Sequence, residues 1–190
     1  MGRTLWRVAD APPELSPSTY VVLGMLGLGA RTGYEVRRLV ELSARYFWTI
    51  SPVQVYPALK QLEQIGYAEG DDDTSTARRR RLYTITGAGR AALRGWVDVA
   101  GDDPGLELRD LGLLKLFFAD ATDAAAARAH VRRLAARSER LVERFATEIV
   151  PAAQALSAET GNRFPLLVAQ LGRDEHVWLA ARYAAIAEDL

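Results

Sequence analysis

Residues 51–66 read SPVQVYPALKQLEQIG, and the fold turns on what that stretch becomes. Ser51-Pro52 is a helix start: a hydroxyl able to accept from free amides, then a proline whose fixed φ suits the first turn. Val55, Leu59 and Leu62 recur at spacings of four and three, which puts them on one helical face, and Gly66 can close the helix. Pro57 lies inside and should bend it, because proline lacks an amide donor and crowds the carbonyl four residues back. The outward side chains are Gln54, Tyr56, Lys60, Gln61 and Gln64. Lysine can neutralise a phosphate and glutamine can pair with an adenine edge in the major groove. The same residues also suit a plain solvated helix, so the flanking sequence has to decide.

Upstream, Ser16-Pro17 starts a helix that Gly29 can close, and Gly33 to Phe47 carries Val36, Leu39, Val40 and Phe47 on one face of a second. Downstream, Tyr67 to Gly70, a polar tip from Asp71 to Ala77, and Arg78 to Ile85 suit a short β-hairpin, with Leu82-Tyr83-Thr84-Ile85 supplying strand-favouring residues. Thr86 caps a fourth helix running through Val97. Three helices, a hairpin and a helix in about 80 residues is the order of a winged helix-turn-helix, with the third helix as reader and the hairpin as wing. The run Arg78-Arg79-Arg80-Arg81 sharpens the DNA reading. Consecutive cations on a strand repel one another, and beside a groove they would meet phosphates on either side of the wing.

The chain has 190 residues, 24 basic and 24 acidic, and a formal net charge of zero. Neutrality argues against a nucleic-acid partner until the charges are divided. Residues 1–99 hold 13 basic and 10 acidic side chains, and residues 100–190 hold 11 and 14. A turn-forming cluster, Gly101 to Gly105, separates the halves, so a DNA-binding domain is expected over 15–99 and a helical domain over 106–190. In the second, a short helix is expected over Leu108–Phe118, a long one from Thr122 to about Ala158 and a last one over Phe164–Asp189. Pro151 should kink or break the long one. One stripe runs through Val131, Leu134, Leu141, Val142, Phe145, Ile149 and Leu156. A second runs through Phe164, Leu167, Val168, Leu171, Trp178, Leu179, Tyr183 and Ile186. A small domain cannot bury both, which points to a second subunit.

Other classes are weak. There is no cysteine, which excludes disulfide scaffolds, zinc fingers and thiol nucleophiles and fits a reducing cytoplasm. Residues Met1 to Ser16 lack the apolar core of a signal peptide, and the longest apolar run, Tyr20–Ala30, is too short to span a bilayer. His130 and His176 stand apart from any metal or catalytic motif, so neither catalysis, a metal nor a cofactor is expected. Gly27-Leu28-Gly29-Ala30-Arg31-Thr32-Gly33 imitates a dinucleotide-binding turn, the one feature that would support an NAD(P)-binding enzyme. Its βαβ context is missing, since residues 48–56 supply no ribose-binding acid. Trp96 and Trp178 are candidate walls of an effector pocket, as aromatics line such sites.

Tyr56-Pro57-Ala58-Leu59-Lys60-Gln61-Leu62-Glu63-Gln64-Ile65-Gly66, Gly33-Tyr34-Glu35 and Leu82-Tyr83-Thr84-Ile85-Thr86-Gly87-Ala88-Gly89 together resemble the motifs of PadR-type transcriptional regulators. Phe47-Trp48 with Gln54-Val55-Tyr56, and Leu111 to Phe118, are similar to the virulence-activator branch of that family. Pro52-Val53 departs from it, standing where many members place a small residue or glycine. The resemblance implies a homodimer that packs C-terminal helices, binds palindromic operators and usually represses. It makes Tyr56 and Lys60 reader contacts and the Arg78–Arg81 region the wing contact. The expected protein is therefore mainly α with a small β-hairpin, a cytoplasmic, sequence-specific DNA-binding regulator that a small molecule could release. The rivals are an NAD(P) enzyme and a helical protein-interaction module.

Overall fold

The computed structural model describes residues 15–48, 50–73, 80–98 and 109–190. They form two compact units. One is built from the N-terminal elements on either side of residues 41–48, the other from Glu41–Trp48 together with the C-terminal helices.

In the first unit α1 covers Pro17–Gly27, α2 Gly33–Glu41 and α3 Pro52–Gln64; the strands β1 Ala68–Asp73 and β2 Arg80–Ile85 follow, then α4 Gly87–Asp98. Ser16 starts α1 by accepting the Thr19 amide on its hydroxyl at 3.2 Å. As Ser16-Pro17 leads one to expect, the apolar run is helix, and Gly27–Gly33 is a turn between helices, with Gly29 at φ 102°. No strand feeds those glycines, so the dinucleotide reading falls. The core joins Val22, Leu23 and Leu26 of α1, Val36 and Val40 of α2, Val55, Leu59 and Leu62 of α3, and Ile85 of β2, all buried. Despite Pro57, α3 continues to Gln64.

The hairpin is longer than its composition suggests. Asp71, Asp72 and Asp73 belong to β1, paired with Leu82, Arg81 and Arg80, whereas the sequence places them at a polar tip. Aspartate is a poor strand former, but opposite charges directly across a ladder stabilise the pairing. The β2 edge is tied to the turn before α2, where the Tyr83 amide donates to the Arg31 carbonyl at 2.7 Å. At the start of α4 the Thr86 hydroxyl accepts from the Gly89 amide at 3.0 Å and donates to the Gly66 carbonyl at 2.7 Å. One side chain thus caps a helix and fixes the turn that leaves α3.

In the second unit α5 covers Leu111–Phe117, α6 Ala124–Arg144, α7 Val150–Thr160 and α8 Phe164–Asp189, with a π-helical turn, Phe145–Ile149, between α6 and α7. The expected Pro151 kink takes that form. In an α-helix the proline ring would meet the Thr147 carbonyl; instead the preceding turn widens and the Val150 amide donates to the Phe145 carbonyl. Phe145, Ile149, Val150, Ala153 and Ala169 make one core cluster, with Tyr46 and Leu166 against it. Val131, Leu134, Ala135, Tyr183 and Ala187 make another between α6 and α8. The helix expected over Gly33–Phe47 stops at Glu41, and Ala44–Tyr46 form a 3₁₀ turn whose Tyr46 ring lies 4.5 Å from that of Phe145.

The α8 stripe also divides. Tyr183 is buried and Leu179 and Ile186 pack on the inner cluster, while Phe164, Leu167, Val168, Leu171 and Trp178 are exposed. Among the described residues no helix is long and apolar enough to cross a membrane, and no group of acidic or histidine side chains is placed to hold a metal.

Asp110 caps α5, accepting from the amides of Gly112 at 2.7 Å and Leu113 at 3.2 Å, and is paired with Arg137 of α6. The Arg137 guanidinium holds the Asp110 carboxyl below its ordinary value of 3.8. A depressed folded value stabilises the fold above the unfolded one, and the contribution disappears as pH falls through the folded value. Asp110→Ala should cost about 1–2 kcal/mol at neutral pH, the usual worth of a cap. Urea midpoints should show the gap narrowing below about pH 4; a gap constant down to pH 2 would contradict the pairing.

Candidate nucleic-acid interface

The burial of Val55, Ala58, Leu59 and Leu62 fixes the rotation of α3. Opposite them, at helical spacings of four, three and four, stand Val53, Pro57, Lys60 and Gln64, all exposed. Gln54 and Gln61 lie on one flank of this face, Tyr56 and Glu63 on the other. Of the five polar residues singled out from sequence, Lys60 and Gln64 thus occupy the outward face and the other three its margins. Gln54 also serves the helix start, its side-chain oxygen accepting from the Ser51 amide at 3.0 Å. Gln61 turns towards α1, with its side-chain oxygen 3.5 Å from the Thr19 hydroxyl.

Tyr56 packs its ring on the first residue of α2. A Cβ at Gly33 would lie 2.5 Å from Tyr56 Cε1, so this approach needs glycine, which accounts for the Gly-Tyr-Glu start of that helix. The ring walls a cleft of about 680 Å³ that also takes in Tyr34, Arg38, Arg80, Arg81 and Tyr83. With Arg81 paired to Glu63 and Asp72, the two arginines Arg38 and Arg80 against one carboxylate, Glu35, leave the groove beside α3 basic. Tyr34 is 68% exposed, and Val53 79%. In the sequence Tyr34 appears within a motif and Val53 as a departure from one, but neither they nor Arg38 are marked there as contacts. The helical spacing of Val55, Leu59 and Leu62 would have placed Val53 outward, with methyls of the type that contacts thymine. Nothing local shows that Tyr34 and Arg38 share a cleft with β2, which only the tertiary fold brings together.

The arginine run does not act as one block. Arg80 is exposed, opposite Asp73 in the ladder. Arg81 projects to the other side of the strand and binds the protein's own carboxylates: Nε donates to Glu63 at 3.3 Å, Nη1 to Asp72 at 3.1 Å, and Nη2 also pairs with Glu63. The Glu63 carboxylate, seconded by Asp72, raises the guanidinium pKa above its ordinary value. Arg78 and Arg79 lie outside the described residues. Trp96 stacks on Tyr20 at 4.7 Å beside a groove of about 710 Å³ along α4. Trp178 is exposed on α8, in the other unit.

Residues 22–95 match the transcriptional regulator PadR-like family, and residues 108–180 match the virulence activator alpha C-term family. The negative transcriptional regulator PadR of Bacillus subtilis is 29% identical over 79 residues, 41% of this chain and 43% of that protein. The chain spans less than half the length of the curated relatives it matches. The crystal structure of the PadR-like transcriptional regulator BC1756 from Bacillus cereus superimposes with a TM-score of 0.77 at 17% identity, covering 94% of this chain and 98% of that one. Bacillus subtilis PadR in complex with operator DNA gives a TM-score of 0.75 at 19% identity, covering 90% and 97%. Those two likenesses concern the fold.

Proposed function

Because the chain carries a PadR-like transcriptional-regulator domain over residues 22–95 and a virulence-activator C-terminal domain over residues 108–180, we propose that it binds double-stranded DNA sequence-specifically as a homodimer and represses from palindromic operators. The observation that carries this reading is the outward Lys60–Gln64 face of α3, flanked by the basic groove of Tyr34, Arg38, Tyr56 and Arg80. A helix so placed can enter a major groove while the hairpin follows the adjacent backbone. Gln64, with Gln54 and Gln61 at the margin, reads base edges; Lys60, Arg80 and the wing residues Arg78 and Arg79 meet phosphate. Tyr56 and Tyr34 fill the contact between them. Release by a small molecule belongs to the same reading.

The homodimer is supported by the apolar surface left on α5 and α8. Leu111, Leu114 and Phe117 of α5 and Phe118 just after it are exposed, as are Phe164, Leu167, Leu171 and Trp178 at helical spacing on α8. Large apolar surface left in water commonly marks a protein–protein contact. Two dimer-related reader helices would address half-sites about one helical turn apart. Light scattering should return a dimer mass; a monomer would favour the interaction-module reading.

The direct test is fluorescence anisotropy with a duplex from upstream of the chain's own gene, against a scrambled duplex of the same composition. Equal affinities would sink the sequence-specific reading. Arg79→Ala with Arg80→Ala should make the salt dependence shallower, by about 0.9 in log–log slope for each phosphate left unneutralised. An unchanged slope would remove the wing from the interface.

A further inference from the structure

Glu63, Gly70, Asp72 and Arg81 form one construction at the root of the wing. Glu63 closes the last turn of α3, Gly70 and Asp72 share a face of β1 two residues apart, and Arg81 stands opposite Asp72 on β2. The guanidinium uses three donors at once, Nε and Nη2 on Glu63 and Nη1 on Asp72. To reach Glu63 it lies across β1 at Gly70, where a Cβ would sit 2.7 Å from Arg81 Nε and 2.8 Å from Glu63 Oε1. Here glycine supplies space, since its φ is not in the left-handed region. Along the chain the helix and the hairpin are joined by the short turn Ile65–Tyr67, which bends at Gly66 with φ 75°; Thr86 holds this turn from the far end of β2, and the Arg81 contact is a second tie, nearer the wing.

We propose that Arg81 is a positioning residue that clamps the wing to the reader helix through Glu63 and Asp72 across the Gly70 gap, fixing the angle at which both meet DNA. This rests on the DNA-binding reading above and changes one part of it, since the last arginine of the run then contributes orientation in place of a phosphate contact. The geometry demands arginine: a planar fork serves two carboxylates in fixed directions, whereas a lysine ammonium is a single point on a flexible stem. It also reverses a simple electrostatic expectation. Removing the negative charge of Glu63 beside a polyanion should tighten binding, but breaking the clamp should weaken it.

The experiment is the same anisotropy titration with the full chain and the upstream duplex, over a series of salt concentrations. Arg81→Gln and Arg81→Lys should each weaken specific binding about tenfold with the salt slope unchanged, and Glu63→Gln should weaken it in the same direction. Glu63→Gln combined with Arg81→Gln should be no worse than either alone, because the two act through one contact. Tighter binding by Glu63→Gln, full affinity in Arg81→Lys, or a slope made shallower by about 0.9 in Arg81→Gln would each show a phosphate contact and overturn the proposal. Circular dichroism melts of the same variants identify any that fail to fold. In that case Gly70→Ala, which crowds the clamp and leaves every charge in place, must weaken binding at unchanged slope for the proposal to stand. An unmodified chain that does not distinguish the duplexes removes the DNA reading and the clamp together. One that does, while the arginine variants behave as contacts, overturns the clamp alone.

Discussion

Phe145→Ala should destabilise the chain by about 3–5 kcal/mol, the range for truncating a buried aromatic side chain. The ring is 1% exposed, packs on Tyr46 and lies so close to Gly172 of α8 that a Cβ there would come within 2.7 Å of its Cζ. It therefore joins three stretches far apart in sequence: the 3₁₀ turn, the π-helical turn and the middle of α8. Relaxation into the cavity is restricted because glycine offers no side chain to fill it. The midpoint of thermal or urea unfolding checks this, and a destabilisation below about 1 kcal/mol would mean the ring is not the keystone of its cluster. Tyr46→Ala, which removes a less buried ring from the same stack, should cost less.

Gly89→Ala should cost about 1–2 kcal/mol despite alanine being the better helix former. The propensity gain is at most about 1 kcal/mol. Against it, the new methyl would sit 2.2 Å from the Tyr67 carbonyl oxygen and 3.0 Å from Ile85 Cγ1. Overpacking against backbone typically costs about 1–3 kcal/mol, and here the backbone is the turn that Thr86 holds through its amide bond to Tyr67 and its hydroxyl bond to Gly66. Moving α4 away would loosen both. Gly87→Ala, two residues earlier with open space around it, is the matched control and should be neutral or slightly stabilising. If the two substitutions behave alike in thermal melts, the Tyr67 contact is not limiting.

Much of this architecture is legible in local sequence, because its boundaries are set by local chemistry. Ser16-Pro17, Ser51-Pro52 and Thr86 start helices where such residues satisfy free amides, and Gly66 ends α3 where a left-handed residue is needed. What the sequence misplaces depends on partners distant in the chain. Leu39, Val40 and Phe47 fit one helical face, yet the helix stops at Glu41, and the next residues pack around Phe145. Three aspartates look like a loop until Arg81 and Arg80 stand across from Asp72 and Asp73. The exposed Phe164, Leu167 and Leu171 share a period with Leu179 and Tyr183, and periodicity alone does not separate the face that meets α6 from the one left open. On α3, residue types marked out Gln54, Tyr56, Lys60, Gln61 and Gln64 alike, of which Lys60 and Gln64 stand on the outward face; on β2, Arg81 looked equivalent to Arg80 because a run of identical residues hides which side of the strand each occupies.

The grouping of Glu41–Trp48 with the C-terminal helices has a consequence for how the chain can be divided. A cut in the Gly101–Gly105 segment, the natural place to separate the halves by composition, does not divide the protein along its structural seam. The upstream fragment would keep Ala44 and Tyr46 without Phe145 and the rest of the cluster that Tyr46 joins. Those residues lie between α2 and α3, so the fragment would lose the packing of the segment directly ahead of α3. Along the sequence the chain thus crosses from the first unit to the second and back before residue 102.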